Sequence, residues 1–172
     1  MADAAGVFRV LDAAVPDERR EWVALWDRWP AREVFAHPSY VELDASADTT
    51  HVRAATYVSP DGIVLYPFLQ RALPADVHCG TEQDDAASDI TAPYGYGGPQ
   101  CWAVGNRAQL ADEFWAAFDA WAAREKIVSE FIRFSLFADT RLPYVSEMVE
   151  VQSNVVRDLE LSMDQLWMMF EH

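Results

Sequence analysis

The stretch VRAATYVSPDGIVLYPFLQRAL, residues 52–73, decides the fold class. Residues 52–58 alternate loosely and are rich in β-branched and aromatic side chains, which favours a strand. Ser59-Pro-Asp-Gly62 is a turn signal, because proline presets φ and glycine adopts angles that other residues avoid. We therefore predict an antiparallel hairpin over 52–73. Pro67 lies in its second strand without an N–H donor, which predicts either a bulge or an unpaired edge.

On the N-terminal side of the hairpin, the pattern predicts a strand and two helices. Phe8 to Leu11 is typical of a short strand. After Pro16, apolar residues recur at i, i+3, i+4 and i+7, at positions Trp22, Leu25, Trp26 and Trp29. Three tryptophans on one helical stripe indicate a core face rather than a ligand site. Pro30 ends this helix, and His37-Pro-Ser-Tyr40 predicts a second, short one with proline in its first turn.

On the C-terminal side, the clearest element is a helix over 107–124. Asn106 is its predicted N-cap, and its apolar face carries Leu110, Phe114, Phe118, Trp121 and Ala122. Ile127 to Phe134 predicts a buried strand. Residues 149–151 and 154–161 predict two further strands or one bent hairpin. Ser162 and Gln165 have the spacing of a capping box, which predicts a helix from about residue 163.

The composition indicates one folded domain over 1–172, with 51% hydrophobic residues and seven tryptophans. The net charge of −15 and the single lysine argue against direct nucleic-acid binding. No apolar run approaches the ~20 residues that a membrane helix needs. The first residues lack a signal-peptide pattern, and the two cysteines are too few for a disulfide framework, which together predict a cytoplasmic protein with free thiols. His78 and Cys79 have no second pair at metal-ligand spacing, so no metal site is predicted.

The run Asp89-Ile-Thr-Ala-Pro-Tyr-Gly-Tyr-Gly-Gly-Pro99 contains three glycines, two prolines and two tyrosines. Such a composition predicts a shaped loop rather than a helix or a central strand. Gly95 to Gly98 could cradle a phosphate on backbone N–H groups. However, Pro99 and Cys101-Trp102 follow it, where a phosphate loop would open a basic helix start. We therefore favour a wall of an acceptor pocket over a phosphate cradle.

Individual side chains near this loop leave alternatives open. Asp89 either caps the N–H groups of the loop, which we favour, or places a carboxylate in a cleft. Tyr94 and Tyr96 either line a pocket or pack the loop onto the sheet. Arg133 is expected to be partly buried and paired with an acidic loop residue, or else to bind a substrate carboxylate or phosphate. Arg71 lies at the end of the hairpin, in a position similar to that of Arg133 at the end of its strand.

The order of four short pieces resembles the N-terminal half of the FemAB-like branch of the GNAT acyltransferase superfamily. These pieces are His37-Pro-Ser-Tyr40, Tyr66-Pro-Phe68, the Asp89–Pro99 run and Glu130-Phe-Ile-Arg-Phe134. The resemblance covers roughly residues 20–170. It implies an α/β (α+β) fold, with a mixed, mostly antiparallel sheet flanked by helices. It also implies that 1–172 is a single GNAT-like domain, the first half of a tandem protein whose second half is absent from this sequence.

The same resemblance implies transfer of an acyl or aminoacyl group to an amine acceptor, with this chain forming the acceptor-side half. No tightly bound cofactor is implied. Acyl-CoA and aminoacyl-tRNA are the two possible donor substrates, and the acidic charge balance favours acyl-CoA. The acceptor would be a small-molecule amine or a sugar-linked one, and the partner a second copy or a second GNAT-like chain. Asp89 is the weak catalytic candidate. The implied substrate-binding residues are Thr91, Tyr94, Gly95, Tyr96, Gly97, Gly98, Arg71 and Arg133.

The sequence departs from the family at the donor site. A GNAT enzyme holds the donor pyrophosphate through an Arg/Gln-x-x-Gly-x-Gly/Ala turn at a helix start, and that motif is missing. Two alternatives therefore stay open: a non-catalytic, degenerate GNAT-like binding or accessory protein, and a plain fragment with an exposed apolar C-terminal surface.

Overall fold

A six-stranded mixed sheet organises the chain. The computed structural model describes residues 6–45, 49–74, 87–144, 146–156 and 160–169. The strands are β1 (Val7–Asp12), β2 (Thr50–Ser59), β3 (Gly62–Ala72), β4 (Ser88–Thr91), β5 (Gln100–Trp102) and β6 (Ile127–Phe131). The helices are α1 (Pro16–Arg28), α2 (Pro38–Val41), α3 (Arg107–Arg124) and α4 (Met163–Met168). Short 3-10 turns cover Val34–Ala36 and Glu42–Asp44.

The sheet is antiparallel except at one pair of strands. The strand order is β1-β2-β3-β4-β6, with β5 paired to β3, and among the described strands only β4 and β6 run parallel. β2 and β3 form the predicted hairpin, with Val52 opposite Leu69 and Ser59 opposite Gly62. The predicted α/β class with a mixed, mostly antiparallel sheet is confirmed.

Pro67 occupies a gap on the outer side of β3. The first residues of β3 pair with β5 and the last with β4, so that Tyr66–Phe68 has no strand on that side within the described chain. The register with β2 is unbroken, and Ala54 lies opposite Pro67. The unpaired edge is therefore confirmed and the bulge is not, since a residue without an N–H is tolerated where no second partner needs it.

Helices cover both faces of the sheet. α3 packs on one face around Tyr66, Phe68, Phe114, Phe118 and Trp121, which are all buried. α1 and α2 pack on the other face, where Trp22 and Trp29 are buried as predicted and Trp26 is partly buried. Asn106 caps α3, since its side chain accepts a hydrogen bond of 3.2 Å from the Gln109 N–H.

The prediction of a loop starting at Asp89 is wrong for its first three residues. Asp89–Thr91 belongs to β4, which has β3 on one side and β6 on the other. The physical reason is Ile90, which points into the α3-side core with 1% of its surface exposed. The irregular segment begins only at Ala92.

The prediction of a buried strand over 127–134 is confirmed as a strand over Ile127–Phe131 but is wrong about its burial and its end. β6 ends at Phe131 and is largely exposed, because within the described chain it pairs only with β4 and forms the edge of the sheet. Residues 147–156 form no strand, and 157–159 lie outside the described residues. The capping box is confirmed: Ser162 and Gln165 exchange hydrogen bonds of 3.3 and 2.9 Å at the start of α4. His78 and Cys79 lie outside the described residues.

Candidate functional site

The glycine-rich loop leaves the sheet where the parallel pair of strands ends. The Ala92 N–H donates to the Phe131 carbonyl at 2.9 Å, which continues the β4–β6 pairing. The pairing resumes at Gly97, whose N–H donates to the Arg133 carbonyl at 2.7 Å and whose carbonyl accepts from Ser135 at 2.9 Å. Residues 93–96 therefore form a short excursion between two paired positions, which we call the Pro93–Tyr96 loop.

Contacts with the α2 region fix the shape of this loop. The Tyr94 N–H donates to the Asp44 carboxylate, and the Tyr40 hydroxyl donates to the Tyr94 carbonyl at 3.2 Å. Gly95 has φ +94°, a conformation that L side chains rarely adopt. The N–H groups of Tyr94 and Gly97 are thus occupied within the protein, which removes two of the donors that a phosphate cradle would use.

The two loop tyrosines are placed differently. Tyr96 packs edge-on against Phe35 with ring centroids 5.9 Å apart, and its hydroxyl donates to Asn154 at 3.1 Å. The Tyr94 ring is 72% exposed. Tyr96 therefore packs the loop onto the domain, whereas Tyr94 presents its ring to solvent.

Asp89 and Arg71 pair with each other across β3 and β4. The Arg71 guanidinium donates to both carboxylate oxygens of Asp89, at 2.9 and 2.6 Å. This charge-assisted bond raises the pKa of Arg71. Asp89 lies in β4 and binds Arg71, so the favoured prediction that it caps the loop is wrong. The Thr91 hydroxyl donates to the neighbouring Ala92 carbonyl at 3.3 Å.

The prediction that Arg133 is partly buried and paired with an acidic loop residue is wrong, while the alternative that it binds a substrate anion stays a prediction. The Arg133 side chain is exposed, and it forms no ion pair with any of the described residues. It lies beyond the end of β6, where the chain runs along the surface. Its backbone carbonyl is what contacts the loop.

A small cavity lies beneath the loop, and we call it the under-loop cavity. Its walls are Trp29, Glu33, Phe35, Ala36, Pro67, Pro93, Tyr96, Gly97, Gly98 and Gln100. The space inside is about 10 Å³, which is room for about one water molecule. Of the residues predicted for the site, Tyr96, Gly97 and Gly98 line this cavity.

Glu33 is the charged residue that borders this cavity. Its carboxylate accepts a hydrogen bond of 3.0 Å from the hydroxyl of Ser135, which is 3% exposed. Burial raises the pKa of Glu33, while the Ser135 bond acts in the opposite direction. Sequence reasoning missed both residues, because neither belongs to a recognisable motif.

Trp29 contributes a donor without an acceptor. The indole N–H groups of Trp22 and Trp26 donate to backbone carbonyls at 2.9 and 2.8 Å. The Trp29 Nε1 atom is sealed from solvent and has no hydrogen-bond partner in the described chain. Its ring stacks on Trp102, with centroids 6.0 Å apart and planes 19° apart.

An open groove lies on the other side of Trp29. It measures about 370 Å³ and is bordered by Pro30, Trp102, Arg107, Asp139 and Thr140, among others. One terminal nitrogen of the Arg107 guanidinium donates a hydrogen bond to the Asp139 backbone carbonyl. The groove therefore lies over two largely buried tryptophans, with the side chains of Arg107 and Asp139 at its border.

A second perturbed pair links the α3-side core to the edge strand β6. The fully buried Tyr66 hydroxyl donates to Glu130 at 2.6 Å, and desolvation raises the pKa of both groups. Neither residue lines the under-loop cavity or the groove. This bond ties the edge strand β6 to the core.

The described residues contain no group of three or more histidine, cysteine, aspartate or glutamate side chains that could hold a metal ion. Within the same part of the chain, no helix is both long and apolar enough to cross a bilayer. Comparison with models of protein families, with curated proteins and with solved structures finds no match to this chain.

Proposed function

We propose that this chain is a GNAT-like acyltransferase domain that binds a small amine acceptor and supports acyl or aminoacyl transfer to it. The under-loop cavity supports this best: it lies at the carboxyl ends of the parallel strands and is bordered by Glu33, whose pKa is raised by burial. In open α/β sheets, ligands bind at the carboxyl ends of the strands. A raised carboxyl pKa suits a group that takes up a proton near neutral pH.

The chemistry assigns a role to Glu33. The neutral amine nitrogen attacks the acyl carbonyl, a C–N bond forms, and the C–S bond of the thioester donor breaks. The surplus proton on the nitrogen passes to the Glu33 carboxylate, and the departing thiolate takes a proton from solvent. Ser135 would hold the carboxylate in place. Because the cavity has room for about one water molecule, only the amino group of the acceptor would reach into it, and the rest would lie outside the loop.

Acetyl transfer from acetyl-CoA to a panel of amines tests the proposal through release of free CoA thiol. Ethanolamine, glucosamine and lysine are suitable acceptors. We expect Glu33→Gln to lower kcat by about 10²–10⁴, the usual contribution of a general base. Glu113→Gln is the matched control, since Glu113 binds Tyr57 on the α3 side of the sheet. Equal activity in the Glu33→Gln and Glu113→Gln variants would exclude Glu33 as the base.

The alternative function is a GNAT-like binding or accessory protein without catalysis. The occupied N–H groups of Tyr94 and Gly97 favour it, because the loop keeps few free donors for a donor pyrophosphate. Thermal-shift titrations separate the two. Saturable stabilisation by acetyl-CoA supports the enzyme. If acetyl-CoA at millimolar concentration does not stabilise the chain, a CoA-dependent acyltransferase is excluded.

Completion of the domain by a second copy of this chain belongs to the same proposal. The edge strand β6 exposes Val128 and Phe131, and α4 exposes Trp167. Apolar side chains on an unpaired strand edge favour association with another chain. A second GNAT-like chain is the other partner consistent with this surface.

A further inference from the structure

Residues 149–155, which we call the 149–155 segment, have the pattern of a strand but no neighbouring strand within the described chain. Valines occupy positions 149, 151 and 155, which lie on one face of an extended chain. These three side chains are 77%, 89% and 81% exposed. No backbone–backbone hydrogen bond joins residues 146–156 to any described residue. Because β-branched residues favour a strand, this segment is suited to pair with an open sheet edge.

The edge strand β6 offers such an edge. It pairs with β4 on one side and with no described strand on the other. Charged side chains commonly protect an edge strand, and the opposite edge strand, β1, carries two of them in six residues. The one charged residue of β6, Glu130, is bonded to the buried Tyr66 hydroxyl instead. Val128 and Phe131 are 45% and 59% exposed, so β6 is the less protected edge.

The 149–155 segment and β6 lie at the same edge of the molecule. The Tyr144 ring, which precedes the segment, packs against Phe134 just beyond β6, with ring centroids 5.2 Å apart. Within the segment, Asn154 accepts a hydrogen bond of 3.1 Å from Tyr96, in the loop that follows β4. A two-fold axis at this edge would therefore bring the segment of each copy to β6 of the other. Such an isologous contact would satisfy both open edges at once.

The surface that this contact would cover is large enough for a dimer. Residues 148–156 and β6 together expose seven large apolar side chains: Val128, Phe131, Met148, Val149, Val151, Val155 and Val156. They offer about 400–500 Å² of apolar surface per copy. Two copies would bury roughly 1,000 Å², the size at which specific interfaces begin. Glu150 is the one charged residue in 148–156, so that little of the net charge of −15 lies where the copies would meet.

We propose that two copies of this chain exchange strands, so that the 149–155 segment of each copy pairs with the outer edge of β6 in the other. The sheet of each copy then gains a seventh strand, and neither copy keeps an open β6 edge. Strand exchange rests on the proposed association with a second copy, and it specifies the two surfaces that meet. It does not depend on acyl transfer, so failure of the acetyl-CoA assay would leave it standing.

Proline variants of the full-length chain test the exchange, with the dimer Kd measured by light scattering after size exclusion at several concentrations. Neighbouring N–H groups of a strand point to opposite sides, so Val151→Pro and Gln152→Pro are made separately. We expect at least one of them to raise the Kd about tenfold or more, because it removes a ladder donor from both pairings of the dimer. The fold should stay intact, since neither residue forms a backbone–backbone hydrogen bond with any described residue. Val151→Thr is the matched control and should dimerise like the wild type, because it keeps the N–H and the β-branch.

Mixing of variants separates strand exchange from direct pairing of two β6 edges. Val128→Lys damages the accepting edge and the disruptive proline damages the donated segment, so each variant alone should be largely monomeric. The mixture keeps one intact pairing and should form a heterodimer. If the mixture stays monomeric, or if both proline variants dimerise like the wild type, strand exchange is overturned, and in the second case association through β6 remains. A wild type that is monomeric with 149–155 amides protected from hydrogen exchange would show pairing within one chain, and would also overturn the proposal.

Discussion

At the scale of single residues, Glu33 makes stability depend on pH. Its pKa is raised in the folded chain above the ordinary value of 4.5. The folded state therefore binds this proton more tightly than the unfolded state does. The stability that Glu33 contributes is complete below the ordinary pKa and is lost as the pH rises through the raised one. We expect Glu33→Gln to gain thermal stability relative to the wild type between about pH 4 and 7, as measured by thermal unfolding at each pH.

Glu113 provides a control of opposite sign. Hydrogen bonds from Gln109 and Tyr57 lower its pKa, so that its contribution is present above the ordinary pKa and is lost as the pH falls. Glu113→Gln should therefore lose stability relative to the wild type over the same rise in pH. If the stability of both variants relative to the wild type changed in the same direction with pH, the burial that raises the pKa of Glu33 would be contradicted.

The Arg71–Asp89 pair should be measurable but weak. The two side chains are 50% and 16% exposed, and solvent screens such pairs. A double-mutant cycle of Arg71→Ala and Asp89→Ala in urea unfolding should give a coupling of about 0.2–1 kcal/mol. A coupling near zero would mean that Arg71 is free to bind a substrate anion instead.

Single residues also show what the sequence conceals. Glu33 and Ser135 are 102 positions apart, and their hydrogen bond depends on how the α1–α2 connection meets the end of the sheet. Nothing local to either residue signals this contact. Tyr96, Gly97 and Gly98 could be predicted for the cavity wall, because glycine and aromatic content marks a shaped loop in the sequence itself. Arg133 could not be placed, since its burial depended on where β6 ends.

At the scale of elements, the glycines of the loop should tolerate substitution poorly. Gly95 and Gly98 have φ of +94° and +80°, and a Cβ would lie 2.6 Å from Phe35 or 2.9 Å from Phe134. Gly95→Ala and Gly98→Ala should each lower the free energy of unfolding by about 1–3 kcal/mol in urea titrations. Gly105→Ala is the control and should stay within about 0.5 kcal/mol, since its Cβ would make ordinary contacts. Equal losses at all three positions would refute a special loop conformation.

Elements defined by local pattern were predicted best. The hairpin and the helices α1 and α3 follow from period and turn residues that act within a few positions. β4 was missed because its strand character comes from two neighbouring strands rather than from its own residues. The position of β6 was predicted, but its exposure was not, because the same apolar run can occur in a central strand and in an edge strand.

At the scale of the whole molecule, we expect concentration-dependent dimers held by the β6 edge. The net charge of −15 opposes association, so that salt should strengthen the dimer by screening. Light scattering after size exclusion at low and high salt measures this. Val128→Lys on β6 should shift the chain towards monomer. Val7→Lys is the matched control, because Val7 is an exposed valine on the opposite edge strand β1. A wild type that stays monomeric at every salt concentration would contradict the dimer.

The position of β6 also has a consequence for motion. β2 and β3 are joined by a tight turn, whereas β6 reaches β4 only after the loop, β5 and α3 have been traversed. The hairpin should thus be the slowest part of the sheet to exchange its amide protons, and β6 the fastest. Arg133 and Ser135, which pair with Gly97, follow β6 closely in the chain. A brief detachment of this edge would release Gly97, one wall of the under-loop cavity, while the hairpin remains closed, and so open a path into the cavity.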